Sequence, residues 1–272
     1  MYKSILTEVD GPIGILTLNK AARHNAFDEE LIAEITAGLR ELDANEQVRA
    51  VVLSSTGKSF CAGADLNWMQ RAANYSPEQS LADARKLAEL MSTLNELSKP
   101  TIARVQGPAY GGGVGLVAAC DIAVATYDAL FALTEVKLGI VPAVISPYVI
   151  AAIGERYSRR YMLSAERFSA AEAYRIGLLH EIAPGIEQLD ECIGKILDSL
   201  LKNGPKAQGE CKQLIRTVSG STIDEALREE TAQRITRIRA SEEGKEGLAA
   251  FLEKRKPAWV AEAVVVEQGS AQ

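Results

Sequence analysis

The sequence predicts an α/β core followed by a helical C-terminal part, and three observations carry that prediction. A strand, helix, strand order is legible before residue 56. A glycine-dense turn at 107–116 joins a strand to a short apolar helix and then a further strand. Beyond about residue 165 helix signals dominate, with one strand-like piece at 180–183.

The first strand is read at 14–18, where Gly-Ile-Leu-Thr-Leu alternates apolar and polar positions, and the second at 50–54, the apolar run Ala-Val-Val-Leu-Ser. Between them Asp28 is placed to N-cap a helix. Glu29 and Glu30 fall in its first turn, facing the positive end of the helix dipole, and Leu31, Ile35, Leu39 and Leu42 recur at helical spacing. Ser76-Pro77-Glu78-Gln79 reads as a capping box with proline at N1, and the stripe Leu87, Leu90, Met91, Leu94 and Leu97 then runs until Pro100. A strand at 101–105 follows at once. After the glycine turn, Asp121 closes the short helix and 122–125 resumes a strand. Ser169-Ala-Ala-Glu172 and Thr222-Ile-Asp-Glu225 read as further capping boxes. The domains are drawn at 1–200 for the α/β core and 201–272 for the helical region.

Composition narrows the function classes. Of 272 residues, 47 % are hydrophobic and 24 % charged, which fits a folded globular protein and excludes disordered, collagenous and coiled-coil classes. Net charge is −6 with no basic run, so a nucleic-acid partner is not expected. Cys61, Cys120, Cys192 and Cys211 show no CxxC pairing, and His24 and His180 are far apart, so neither a metal site nor a disulfide framework is expected. No signal-like start and no apolar stretch of roughly 18 residues is present, so a cytoplasmic location without membrane contact is expected. Two histidines also make a nucleophile triad hard to assemble, which leaves carboxylates and backbone groups to carry catalysis.

Two segments place small residues where a strand ends and a helix can begin: Phe60-Cys-Ala-Gly-Ala-Asp-Leu66 and Ala109-Tyr-Gly-Gly-Gly113. Minimal side chains let a ligand oxygen approach main-chain N–H groups, and two such bends could converge on one developing negative charge. The run Gly113-Val-Gly115-Leu-Val-Ala118 also fits a dinucleotide fingerprint, with Glu135 twenty residues on as the apparent ribose acid. A crossover helix needs about ten residues, however, and Asp121 already closes this one, so that reading is set aside.

Together the two bends resemble the signature of the enoyl-CoA hydratase/isomerase (crotonase) superfamily, and the likeness runs nearly end to end. Arg23-His-Asn-Ala-Phe27 resembles its early CoA-binding turn, Cys120-Asp-Ile-Ala123 the strand after the glycine turn, Thr134-Glu-Val-Lys-Leu-Gly-Ile-Val-Pro142 its catalytic stretch, and Phe251-Leu-Glu-Lys-Arg-Lys-Pro257 its tail. The resemblance implies a repeated ββα spiral core, a helical C-terminal trimerisation region, and homotrimers that pair into hexamers. It implies an acyl-CoA thioester substrate, with CoA as part of the substrate and no separate cofactor. It places the oxyanion hole at the N–H groups of Ala64 and Gly112. CoA would bind near Ala26, Ala62, Ala64 and Leu66, with Lys254 of this chain or of a neighbouring subunit approaching the phosphates.

Glu135 is the expected proton carrier, a carboxyl half buried among Phe131, Leu133, Leu138 and Ile140 whose pKa burial would raise. Where many hydratases carry a second glutamate, two residues after the glycine triplet, this chain has Gly115. That leaves hydration and double-bond isomerisation both open, with a non-catalytic acyl-CoA-binding homologue as a third reading. The stretches 113–121 and 135–147 are similar to bacterial methylglutaconyl-CoA hydratases of leucine breakdown, which tilts the reading to hydration. The missing glutamate is expected to vacate space for a branched or carboxylated acyl group. Val144, Ile145 and Ser146 stand where the family usually has a glycine pair, and Ser146, Tyr148 or Arg156 are candidate partners for a substrate carboxylate.

Overall fold

The computed structural model describes residues 2–260, in a first compact unit that ends at Asp198 and a second that begins at Ser199. In the first, strands β1 (Ile5–Asp10) and β2 (Ile13–Leu18) lead through a turn to helix α1 (Glu29–Ala44), strand β3 (Ala50–Ser55), helices α2 (Leu66–Ala72) and α3 (Pro77–Glu96), and strand β4 (Thr101–Val105). Strand β5 (Ala109–Tyr110), helix α4 (Gly112–Ala119), strands β6 (Ile122–Thr126) and β7 (Leu130–Ala132) come next. Helix α5 (Ser146–Ser164), strand β8 (Phe168–Ser169), helix α6 (Ala170–Arg175), strand β9 (Glu181–Ala183) and helix α7 (Ile186–Leu201), whose last three residues already belong to the second unit, follow.

The larger sheet has the order β1-β2-β3-β4-β6-β9, antiparallel between β1 and β2 and parallel thereafter. All six residues of β3 are buried, as befits a parallel strand covered on both faces. Strand β1 is not evident in the sequence because Ile5 alone of its six residues is buried, so no alternation marks it. Asp28 caps α1, accepting from the Leu31 N–H at 2.9 Å, and Leu31, Ile35, Leu39 and Leu42 are all buried. Each such side chain stabilises the fold by about 1.5–3 kcal/mol relative to exposure. The capping box of α3 is complete: Ser76 Oγ accepts from the Gln79 N–H at 3.3 Å, and Gln79 Oε1 from the Ser76 N–H at 2.9 Å. The Asp121 carboxylate accepts from the Thr101 N–H (2.7 Å) and hydroxyl (2.9 Å), tying the end of α4 to the start of β4.

A smaller sheet, β5-β7-β8, carries the site. Single bridges extend it, Cys61 pairing in parallel with Ala109 and Phe27 in parallel with Ala64. Phe131 and Phe168 stack on its inner face, ring centroids 5.7 Å apart.

The second unit holds helices α8 (Pro205–Val218), α9 (Glu225–Ala240) and α10 (Glu242–Glu253). The sequence reading put the cap of α9 at Thr222; Asp224 caps it instead, its carboxylate accepting from the Leu227 N–H at 2.9 Å. Aspartate directly before the first helical residue outcompetes a threonine two positions earlier. Among the described residues no helix is long and apolar enough to cross a membrane.

Candidate active site

The two small-residue bends lie side by side. Cys61 forms a parallel bridge with Ala109, and Ala64 and Gly112 each lie three residues further along their segments, past the glycine turns. Main-chain bonds hold the segments together: the Tyr110 N–H donates to the Cys61 carbonyl (2.9 Å), and on the far side the Gly111 N–H donates to Ala132 (2.8 Å). A Cβ built on Gly63 would stand 3.1 Å from the Tyr110 carbonyl oxygen and 4.0 Å from the Gly111 Cα. Glycine is required at both turning points, Gly63 at φ +89° and Gly111 at φ +51°, ψ −119°.

Phe27 braces the first bend from its other edge. Its N–H donates to the Gly63 carbonyl (2.7 Å) and its carbonyl accepts from the Asp65 N–H (2.8 Å), which leaves the intervening Ala64 N–H turned away from this pairing. Gly112 is the first residue of α4, a position whose N–H has no intrahelical acceptor. Among the described residues neither N–H has an acceptor in the protein. The buried Phe27 ring also fills the space that a side chain at 112 would need, Cε2 lying 2.6 Å from a Cβ built there. Sequence reading missed that brace, although Phe27 lies in the quoted turn.

Glu135 opens a 3-10 turn over Glu135–Leu138, and its carboxyl lies against the second bend: Oε1 is 3.0 Å from a Cβ built on Gly111. Oε2 is buried with no hydrogen-bond partner among the described residues. Burial pushes this carboxyl above the usual glutamate range, partly offset by a hydrogen bond from its own main chain. Of its expected apolar surround, Phe131 and Leu133 are buried, but Leu138 and Ile140 are 58 % and 54 % exposed. The tight turn points those two outward, and the Gly111 main chain takes their place as a near neighbour.

Asp65 N-caps α2 immediately after Ala64. Its carboxylate, 7 % exposed, accepts from the N–H groups of Asn67 (2.9 Å) and Trp68 (3.1 Å) and pairs with Arg23 at 3.1 Å. Burial alone would raise this carboxyl, but the Trp68 N–H, Arg23 and the Asn67 N–H together hold it below the usual aspartate range. Its bracing therefore persists at neutral pH and is lost as pH falls through that depressed value. Asp65→Ala is expected to cost about 1 kcal/mol of stability through the lost cap and to lower kcat more than it raises KM, because the adjoining Ala64 N–H loses its aim. Thermal denaturation and steady-state kinetics, with Asp65→Asn as the retained-cap control, check it.

A family model described as Enoyl-CoA hydratase/isomerase matches residues 8–262. The chain belongs to that family. The enoyl-CoA hydratase AKT6-1 of Alternaria alternata is 33 % identical to it over 247 residues, covering 90 % of this chain and 80 % of the relative. Among solved structures, an enoyl-CoA hydratase from Shewanella pealeana is 46 % identical with TM-score 0.92, covering 94 % of this chain and 96 % of that one. AtuE of Pseudomonas aeruginosa is 33 % identical with TM-score 0.91, covering 95 % and 100 %. Family membership agrees with rejection of the dinucleotide reading: α4 has eight residues, and a Cβ on Gly113 would already stand 3.0 Å from the Cys61 Cβ.

The remaining sequence candidates separate. Ala26 is buried and Ala62 half-buried, joined to the Arg23-His24 turn through N–H bonds from Ala26 to Arg23 (3.1 Å) and from Ala62 to His24 (3.0 Å), while Leu66 is exposed at the start of α2. Lys254 belongs to the second unit, as the left-handed C-cap of α10. Ser146 Oγ donates to the Ala143 carbonyl (2.8 Å). Tyr148 lines a cavity of about 490 Å³ with Asn95, Asp121 and His180, and Arg156 a groove with Tyr157, Arg159 and Arg160; neither is lined by Glu135, Ala64 or Gly112. The space expected at Gly115 is filled. A Cβ there would stand 2.8 Å from the Ile145 Cβ, closer still to its Cγ2, and 3.3 Å from the Met91 Cε.

Proposed function

We propose that the protein adds water to an α,β-unsaturated acyl-CoA, with 3-methylglutaconyl-CoA of leucine breakdown as its substrate. One observation carries the hydration chemistry: a buried carboxyl without a partner, Glu135, lies against a glycine bend whose next residue offers an unengaged N–H, beside the bend of Ala64 with its own unengaged N–H. The choice of acyl group is supported by the sequence likeness of 113–121 and 135–147 alone. The thioester carbonyl would accept from both N–H groups. Glu135 takes a proton from water as the oxygen bonds to C3, and the C2=C3 electron pair moves onto the thioester oxygen as an enolate. The protonated Glu135 then delivers hydrogen to C2 and the enolate collapses, which completes addition of one water. Charge develops on the oxygen, so donors fixed in advance contribute about 3–4 kcal/mol each, and a positioned proton carrier contributes about 10²–10⁴ in rate.

Ala26, Ala62 and Leu66 are assigned to the adenine and pantetheine, and the phosphates to Lys254 of this chain or of a neighbouring subunit. The protein is assigned to the cytoplasm, a reading supported by four free cysteines. Assembly as a trimer or hexamer is supported by exposed apolar side chains on and beside the second unit's helices, among them Ile215, Ile223 and Phe251.

Isomerisation of a 3-enoyl-CoA is the second reading, favoured by the single carboxyl and the hydrocarbon at Gly115. Glu135 would then move a proton from C2 to C4, with no water bound. Purified protein incubated with 3-methylglutaconyl-CoA is expected to bleach the absorbance of the conjugated thioester. Formation of that absorbance from a 3-enoyl-CoA, with no bleaching of the first substrate, would replace hydration by isomerisation.

A further inference from the structure

Gly111 and Gly115 lie four residues apart at the start of α4, and two different side chains cover them in succession. At Gly111 the neighbour is the Glu135 carboxyl; at Gly115 it is Ile145. The Gly115 N–H donates to the Gly111 carbonyl at 3.3 Å, so the two glycines stand one turn apart at the head of α4. Ile145 therefore occupies the volume that a side chain at 115 would enter, one turn along α4 from the glycine that Glu135 faces.

Ile145 cannot easily leave. It is 3 % exposed and β-branched, and it forms the N-cap of α5, its carbonyl accepting from the Val149 N–H at 3.1 Å. Met91, fully buried on α3, closes the same spot from another side. Bulk absent at 115 is thus supplied from 145, and a side chain at 115 is compatible with the fold only if 145 shrinks.

We propose that Ile145 is the specificity-determining residue of the acyl cavity: it closes the α4 side with hydrocarbon where a second acid would stand, and makes positions 115 and 145 one steric unit. This rests on the hydratase reading above. A substituent on substrate C3 then meets an apolar wall rather than a carboxylate whose hydration it would strip. One methylene against such a wall discriminates about 10–200-fold, which favours 3-branched over straight acyl groups.

The experiment is a cycle of Gly115→Glu, Ile145→Ala and the double variant, with Ile145→Val as the conservative control. Melting temperature and kcat/KM are measured on crotonyl-CoA and 3-methylglutaconyl-CoA. Gly115→Glu alone is expected to melt well below the parent, and the double variant to melt above Gly115→Glu although it carries one more substitution. Ile145→Ala is expected to raise KM for the branched substrate about 10-fold more than KM for crotonyl-CoA. The double variant shifts preference toward crotonyl-CoA by at least about 10-fold, and Ile145→Val keeps the parental preference. A double variant melting no higher than Gly115→Glu, or an Ile145→Ala that affects both substrates equally, overturns the proposal. A parent that hydrates neither thioester defeats the hydratase reading instead, while the melting arm still decides whether the two positions are coupled.

Discussion

Glu135→Gln is expected to lower turnover at least about 100-fold while acyl-CoA binding stays within a few-fold of the parent. The amide matches the carboxylate in size, so packing against Gly111 is kept, but it neither takes a proton from water nor returns one to carbon. Stability moves the other way. Burial raises the Glu135 carboxyl, so the native state holds this proton more tightly than the unfolded chain does. Parental stability therefore falls as pH climbs from the ordinary glutamate range through the raised value, where the native protein is forced to carry a buried unpaired charge. The glutamine variant lacks that loss: it should match the parent's trend in acid and gain on it toward neutral pH. Denaturant melts at several pH values, set beside kinetics, test both halves. Turnover that survives the substitution would remove Glu135 from the mechanism, and a parent that binds CoA thioesters without turnover would make the protein a binding homologue.

The residues proposed for the site carry local sequence signals, while the side chains packed around them do not. A lone carboxyl in an apolar stretch, and glycines where a strand turns into a helix, are local signals, and Glu135, Gly111 and Gly112 come together where those signals place them. Asp28 and Ser76 are read as caps for the same reason, their partners lying within three residues. Ile145 lies thirty positions from Gly115, and no spacing rule connects the two. The sequence shows a missing side chain at 115 and extra bulk near 145 as separate oddities, which only packing joins into one volume. Phe27 behind Gly112 is hidden likewise. Strand β1 and the outward-facing Leu138 and Ile140 are lost for another reason: exposed apolar residues at an edge or on a tight turn break the periodicity from which burial is inferred.

Gly112→Pro should abolish turnover, and comparison with Gly112→Ala isolates why. Either substitution drives a Cβ toward the Phe27 ring, and proline adds its ring carbons, which also restrict Gly111. Proline differs in removing the N–H. Position 112 is the first of α4, where proline is otherwise well tolerated because no intrahelical bond is lost. The alanine variant thus measures displacement of the bend by a Cβ, and the ratio of the two kcat values measures the donor where the Phe27 packing is disturbed equally in both. A ratio of about 10²–10³ is expected for removal of one fixed donor from a developing oxyanion. Near-UV circular dichroism of both variants shows whether the Phe27 packing is disturbed equally. If the two variants are equally slow, the thioester oxygen does not use the Gly112 N–H, and the second bend would then position the main chain for packing alone.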